Sequence, residues 1–212
     1  MTTYILARSA GFCFGVERSI RMAEDALQNG ACRCLGELIH NRDAVAALEK
    51  KGLSVIESPA ELPEGERVII RAHGVARAVY EELSARHADI IDATCPLVER
   101  IHTIVREESE KGRQIVVIGD AKHPEIQGIC GWCRDAVVLP DAAALDDWLS
   151  QSVEMPEKPL SIVFQTTQIQ ANHVLAEKIL KKRCTNYKIF DTICGATSKR
   201  QREATSLAGI CD

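Results

Sequence analysis

No stretch of 18 consecutive apolar residues occurs in the 212-residue chain, which excludes a membrane-spanning helix of ordinary length. The N-terminal run Met1-Thr2-Thr3-Tyr4-Ile5-Leu6-Ala7-Arg8 lacks a basic start and a long enough apolar stretch for a secretory leader. A cytoplasmic protein is expected. There is no excess of basic charge either: the net charge is −4. Nothing therefore points to nucleic acid or to an anionic membrane surface, and an anionic ligand needs a local basic pocket. No H-E-x-x-H and no paired C-x-x-C spacing is present, which argues against a structural zinc module or a zinc hydrolase.

What the chain does have is cysteine. Nine cysteines are many for a reducing compartment. Their number is odd and their spacing wide and irregular, so a disulfide framework is not expected and metal or cluster ligation is. Hydrophobic residues at 46% and charged residues at 26% fall in the ordinary globular range.

Short β-branched runs alternate with helical stretches. Strands are expected at 4–7, 54–57, 67–71, 89–92, 114–118, 136–139, 160–164 and 187–190. Helices are expected at 16–28, 42–51, 76–85, 98–111, 142–151, 171–183 and 198–208, and a surface loop at 154–159. Continuous apolar strands between helices read as α/β with mostly parallel sheets. Asn29-Gly30, Lys51-Gly52 and Lys111-Gly112 mark helix ends.

The chain also repeats itself. Ile90-Ile91-Asp92-Ala93-Thr94-Cys95 matches Ile189-Phe190-Asp191-Thr192-Ile193-Cys194, and Cys13-Phe14-Gly15-Val16-Glu17-Arg18 matches Cys95-Pro96-Leu97-Val98-Glu99-Arg100. Cys13, Cys95 and Cys194 are each expected where a strand ends and a helix begins. Repeated α/β units follow: residues 14–96 as a first unit and 97–193 as a second. Residues 194–212 then begin a third, to which an N-terminal strand within 1–13 belongs.

Ligands of open α/β sheets bind beyond the carboxyl ends of parallel strands. Those ends carry His40, His73, His123, Glu125, Thr166 and Thr167, expected with the three cysteines around one cavity. Three thiolates suit a cluster with one iron lacking a protein ligand, since four cysteines are the commoner number. Histidine, hydroxyl and amide donors suit an anionic headgroup such as a diphosphate, and a carboxyl in a closed site can deliver a proton.

Cys32, Cys34, Cys184 and Cys211 read as small core residues. Cys130 and Cys133 form a C-x-x-C without a second ligand pair. His87, His102 and His173 read as surface or helix-face residues, and Arg106–Lys111 as a solvated helix face.

Seven motifs then occur in one order: Gly11-Phe12-Cys13-Phe14-Gly15-Val16, His40-Asn41, Ala72-His73-Gly74-Val75, Asp92-Ala93-Thr94-Cys95-Pro96-Leu97-Val98, His123-Pro124-Glu125, Gln165-Thr166-Thr167 and Asp191-Thr192-Ile193-Cys194-Gly195-Ala196-Thr197. In this the chain resembles the 4-hydroxy-3-methylbut-2-enyl diphosphate reductase family over essentially its whole length. The resemblance implies a 4Fe-4S cluster held by Cys13, Cys95 and Cys194 with one open iron. It implies that His40, His73 and His123 surround the substrate diphosphate, and that Glu125 donates a proton with the Thr166 hydroxyl beside it.

The implied reaction is reductive removal of an allylic hydroxyl, giving isopentenyl and dimethylallyl diphosphate, the last step of the methylerythritol phosphate route. Ferredoxin or flavodoxin is the implied electron donor. The family's chains continue beyond the third cysteine helix. The implied fold is therefore a pseudo-threefold, trefoil-like arrangement with its third unit largely missing here, and a second chain could supply that unit. The alternative is an inactive fragment that only binds the cluster or diphosphate.

Overall fold

The computed structural model describes residues 4–151 and 158–210. Its elements follow one another as α1 (Phe14–Gln28), β1 (Cys32–Leu35), α2 (Arg42–Glu49), β2 (Leu53–Ile56), β3 (Arg67–Ile70), α3 (Arg77–Ala85), β4 (Asp89–Asp92) and α4 (Pro96–Glu110). A second set comprises β5 (Gln114–Ile118), α5 (Pro124–Cys130), β6 (Val137–Leu139), α6 (Ala142–Leu149), β7 (Leu160–Phe164), α7 (Gln170–Arg183), β8 (Tyr187–Ile189) and α8 (Gly195–Ala208).

The strands make two four-stranded sheets, β2-β1-β3-β4 and β6-β5-β7-β8, and every pairing is parallel. Both sheets have the same order, so the sequence repeat is a repeat of topology. Between β2 and β3 a single 3-10 turn at Pro59–Glu61 stands where the second sheet has α6. The side-chain period of two divides each sheet between two cores. Ile69 faces one core with α1 and α2, while Val68 and Ile70 face the other with Leu83 of α3. Val116, Ile118, Ile162 and Phe164 face α6 and α7, while Ile115, Val117 and Val163 face α4 and α5.

Helix termini follow the expected chemistry. Gly30, Gly52 and Gly112 have φ of +115°, +107° and +74°, the left-handed geometry that ends a helix. Asn41 and Asp141 cap α2 and α6 by accepting from the amides of Ala44 and Ala144. No described helix is long and apolar enough to cross a membrane.

Several expectations are corrected. Residues 4–7 are not a strand; they are irregular, with Tyr4 89% and Leu6 85% exposed. A lone extended run without a hydrogen-bonded neighbour does not qualify as one. The segment is instead tied to α8, where Glu203 accepts from the amides of Arg8 (2.6 Å) and Ser9 (2.7 Å). Cys32–Leu35 is an interior strand, and Pro124–Cys130 is a helix, both unanticipated.

Two polar residues of α4 are not on the surface. His102 and Glu108 are each 4% exposed. They fall on the stripe Val98, Ile101, His102, Val105, Glu108, whose three- and four-residue spacing turns toward the second sheet. Glu108 is satisfied there by Lys111, Arg113, Lys188 and Ser161. Of the loop expected at 154–159, residues 154–157 lie outside the described residues.

Candidate cluster and anion site

In a sheet of order 2-1-3-4 the crevice for a ligand opens between the first and third strands, where the chain's direction of progress reverses. His40 follows β1 and His73 follows β3. His123 and Glu125 follow β5, and Thr166 follows β7. The two sheets therefore aim their crevices at one place, a cavity of about 190 Å³. Cys13, Cys95 and Cys194 line it, and so do His40, His73 and His123. Glu125, Thr166 and Thr167 complete its polar wall. All nine side chains expected around one cavity are brought together.

Each cysteine is the residue before the first turn of a helix: Cys13 for α1, Cys95 for α4 and Cys194 for α8. The two matching sequence blocks share one side-chain turn. Asp92 Oδ1 accepts from the Thr94 amide at 2.9 Å, and Asp191 Oδ1 accepts from the Ile193 amide at 3.2 Å. These side-chain turns swing the following residue toward the cavity. The Cys95 amide then donates to the Ala72 carbonyl (2.9 Å) and the Cys194 amide to that of Thr166 (2.8 Å). Among the described residues no strand precedes Cys13. It is held through α1, where Ser19 Oγ donates to the Ala93 carbonyl (2.7 Å) and Arg18 to that of Thr94 (3.0 Å).

The thiols are close enough to feel one another. Burial pushes the Cys95 thiol's pKa up, the amides of Leu97 and Val98 pull it down, and Cys13 and Cys194 add a further upward push. An ideal Cβ on Gly15 would lie 2.6 Å from Cys95 Sγ, so α1 reaches that sulfur only because residue 15 has no side chain. Thiol donors from three helix starts, set around one cavity with a glycine making room, fit a shared metal cluster.

The histidine side is equally compact. Ring centroids lie 4.1 Å apart for His40–His73, 5.1 Å for His40–His123 and 5.5 Å for His73–His123. One ring nitrogen from each lies within 4.8 Å of the others. Burial, then the neighbouring His40 and His123 and the charge of Arg71, pull His73 down to about 3. His123 is lowered by burial, His40 and Arg71. At neutral pH both rings are neutral. His123 Nδ1 accepts from the Glu125 amide at 3.1 Å, so in the neutral ring Nε2 is the donor.

Glu125 is 2% exposed. Its Oε1 accepts from the Thr166 amide at 2.7 Å and its Oε2 from the Thr166 hydroxyl at 2.6 Å. Burial raises its pKa, and the two Thr166 bonds oppose that rise. A carboxyl so placed holds a proton beyond the ordinary carboxylate range.

Other residues fall outside the cavity wall or were not foreseen. Arg200 lines the cavity and Arg71 stands behind the histidines; neither was anticipated, although an arginine closing an apolar strand two residues before His73 was a visible signal. Cys130 and Cys133 are partly buried and pack against the core beneath the second sheet, and burial raises both thiols, Cys133 to about 12, so they are not reactive thiolates.

Known proteins share this chain's pattern. The model of the LytB protein family matches residues 4–212. A 4-hydroxy-3-methylbut-2-enyl diphosphate reductase of Clostridioides difficile is 39% identical over 209 residues, covering 98% of this chain and 74% of the relative. The protein of that name from Geobacter metallireducens is 40% identical over 212 residues, with 98% and 72% covered.

A solved structure of the reductase described as the terminal enzyme of the non-mevalonate pathway superposes with a TM-score of 0.78 at 33% identity, covering 98% of this chain and 74% of that one. The Plasmodium falciparum reductase superposes with a TM-score of 0.86 at 27% identity, covering 95% and 64%. The chain thus spans about three quarters of the length of the curated relatives it matches. With its parallel α/β sheets and the full-length match, the chain belongs to the LytB protein family.

Proposed function

We propose that this chain is a 4-hydroxy-3-methylbut-2-enyl diphosphate reductase, in which Cys13, Cys95 and Cys194 hold a 4Fe-4S cluster with one iron free of protein ligands. The observation that carries the reading is the meeting of these three thiols with Glu125 and the three histidines in one cavity. When bound, the cluster supplies electrons one at a time and a Lewis-acidic iron.

The protein's own side chains do the rest. His40, His73 and His123 donate hydrogen bonds to the diphosphate and fix its place. Glu125 carries a proton at the carboxyl that Thr166 orients and gives it to the departing allylic hydroxyl. The C–O bond breaks and water leaves; two electrons and a second proton complete the allyl fragment as isopentenyl or dimethylallyl diphosphate. Ferredoxin or flavodoxin delivers the electrons in this reading, in the cytoplasm.

A second reading rests on one observation: the ring nitrogens within 4.8 Å of one another could hold a divalent cation. Anaerobic reconstitution with iron and sulfide, then turnover of the allylic diphosphate with reduced methyl viologen, tests the proposal. A brown chromophore near ~4 irons per chain, lost in Cys95→Ser, supports it. Zinc uptake without cluster formation overturns it. A full cluster without turnover leaves a binding remnant rather than an enzyme.

A further inference from the structure

A diphosphate is strongly anionic, yet the cavity that would take it offers little free positive charge. His73 and His123 are neutral near pH 7. Arg200 lines the cavity, but its guanidinium is occupied: it donates to the carbonyls of Ser9 (3.1 Å) and Gly11 (2.6 Å) and so fastens the segment before Cys13 to α8.

Arg71 stands just behind the rings, at the carboxyl end of β3. Beside it, at the end of β1, is Gly36, buried and with φ of +72°. An ideal Cβ on Gly36 would lie 2.1 Å from Arg71 Nη1 and 3.1 Å from its Cδ and Cζ. The space a side chain would fill is therefore the space the guanidinium uses. Arg71 Nε is buried without a hydrogen-bond partner, and among the described residues no carboxylate lies within 4.0 Å of the guanidinium. A half-buried cation with an unmatched donor is costly unless an anion arrives to balance it.

We infer that Arg71, housed against Gly36, is the fixed cation of the anion site and supplies positive charge to it when a diphosphate enters. The inference rests on the reading of the site given above. It also weighs against a metal dication on the histidines: the same charge that resists protonation of His73 and His123 repels a second cation and attracts an anion. Arg71 is not on the cavity wall. It acts through the rings and the field, as a positioning residue, and its effect should scale with the charge of the ligand.

The test is calorimetric titration of the full chain with inorganic diphosphate and, separately, inorganic phosphate. Arg71→Gln is expected to weaken diphosphate about tenfold or more and phosphate by less, and to flatten the salt dependence. Arg71→Lys, which keeps the charge, should stay within about threefold of the parent chain. Equal losses for both anions, or none, in a folded Arg71→Gln chain overturn the inference.

His73→Gln separates it from the site reading. If that variant loses diphosphate while Arg71→Gln does not, the histidine site stands and the role of Arg71 falls. If the parent chain binds no diphosphate, both fall. Should Arg71→Gln not fold, Gly36→Ala carries the test by displacing the guanidinium: a drop of about fivefold is expected, and parental affinity in a folded chain overturns the inference.

Discussion

Gly15 and Cys95 meet where two repeats of the chain converge: a Cβ at residue 15 would stand 2.6 Å from the Cys95 sulfur. The thiol side of the cavity has no slack there. Gly15→Ala should therefore push Cys95 away from its two partners before it unfolds anything, since Ala is a better helix former than Gly. After reconstitution, iron per chain should fall to less than about half of the parental value while helical content holds. Gly195→Ala is the control. Its Cβ meets nothing within 4 Å, and it should load normally. Normal loading of Gly15→Ala would mean the sulfur does not need its present position.

Glu125 and Thr166 make a second prediction. Glu125→Gln keeps the shape and loses the transferable proton, so turnover should drop about 10²- to 10⁴-fold with iron content unchanged. Thr166→Val removes the hydroxyl that lowers the Glu125 pKa. Glu125 should then hold its proton to higher pH, and the alkaline limb of the rate profile should move upward as the rate itself falls. A limb that moves downward or stays fixed would remove Glu125 as the proton source.

Much of this site was legible because its chemistry is concentrated at strand ends. The apolar runs of β5 and β7 marked parallel strands, and the paired Asp-x-x-Cys blocks marked a repeat and two of the cysteines, in the sequence itself. The blocks were readable because each encodes the same side-chain turn. β1 was not, since Cys32-Arg33-Cys34-Leu35 places a charge in a four-residue strand and its cysteines looked like isolated core residues. α5 is only seven residues long and carries Gly128 in its interior, too short and too weak a helical pattern to stand out. His102 and Glu108 sat on the correct buried stripe of α4, and their polarity masked it. Arg71 was visible as an arginine at a strand end, but its placement was not, because that depends on Gly36 just after the neighbouring strand β1.

Acid should destabilise the chain in two stages. His102 is lowered to about 4 by burial. The unfolded chain takes up that proton nearer 6.5, so stability present above that pH drains as pH falls toward 4. Glu108 is lowered to about 2; burial raises it, but bonds from Lys111, Lys188 and Ser161 outweigh that. Its stabilisation is complete above its unfolded value near 4.5 and is lost on the way down to 2. Each stage is on the order of 3 kcal/mol. In urea titrations at stepped pH, Glu108→Gln should lower stability at pH 7 and flatten the loss below pH 4.5. An unchanged acid limb would show that the ion cluster is not what acid breaks.

The contact between the two sheets carries the last prediction. Gly74 follows His73 and has φ of +69°, with His102 Cε1 2.6 Å and Thr94 Cγ2 3.1 Å from where its Cβ would be. His102 cannot yield easily, because its ring stacks on Trp132 at 5.2 Å with an interplanar angle of 16°. Trp132 in turn donates to the Val75 carbonyl at 2.9 Å, one residue beyond Gly74. The loop that bears His73 is thereby clamped to α4 and to the end of α5, the helix that bears Glu125. Ala at residue 74 would meet a disfavoured backbone, costing about 1 kcal/mol, and an overpacked contact costing about 1–3 more. Gly74→Ala should therefore lose roughly 2–4 kcal/mol in denaturant titrations. Pairing it with His102→Ala, which vacates the blocking ring, should recover the packing part and leave the backbone part. If the double variant is no more stable than Gly74→Ala, the close approach of that ring is not what makes glycine necessary.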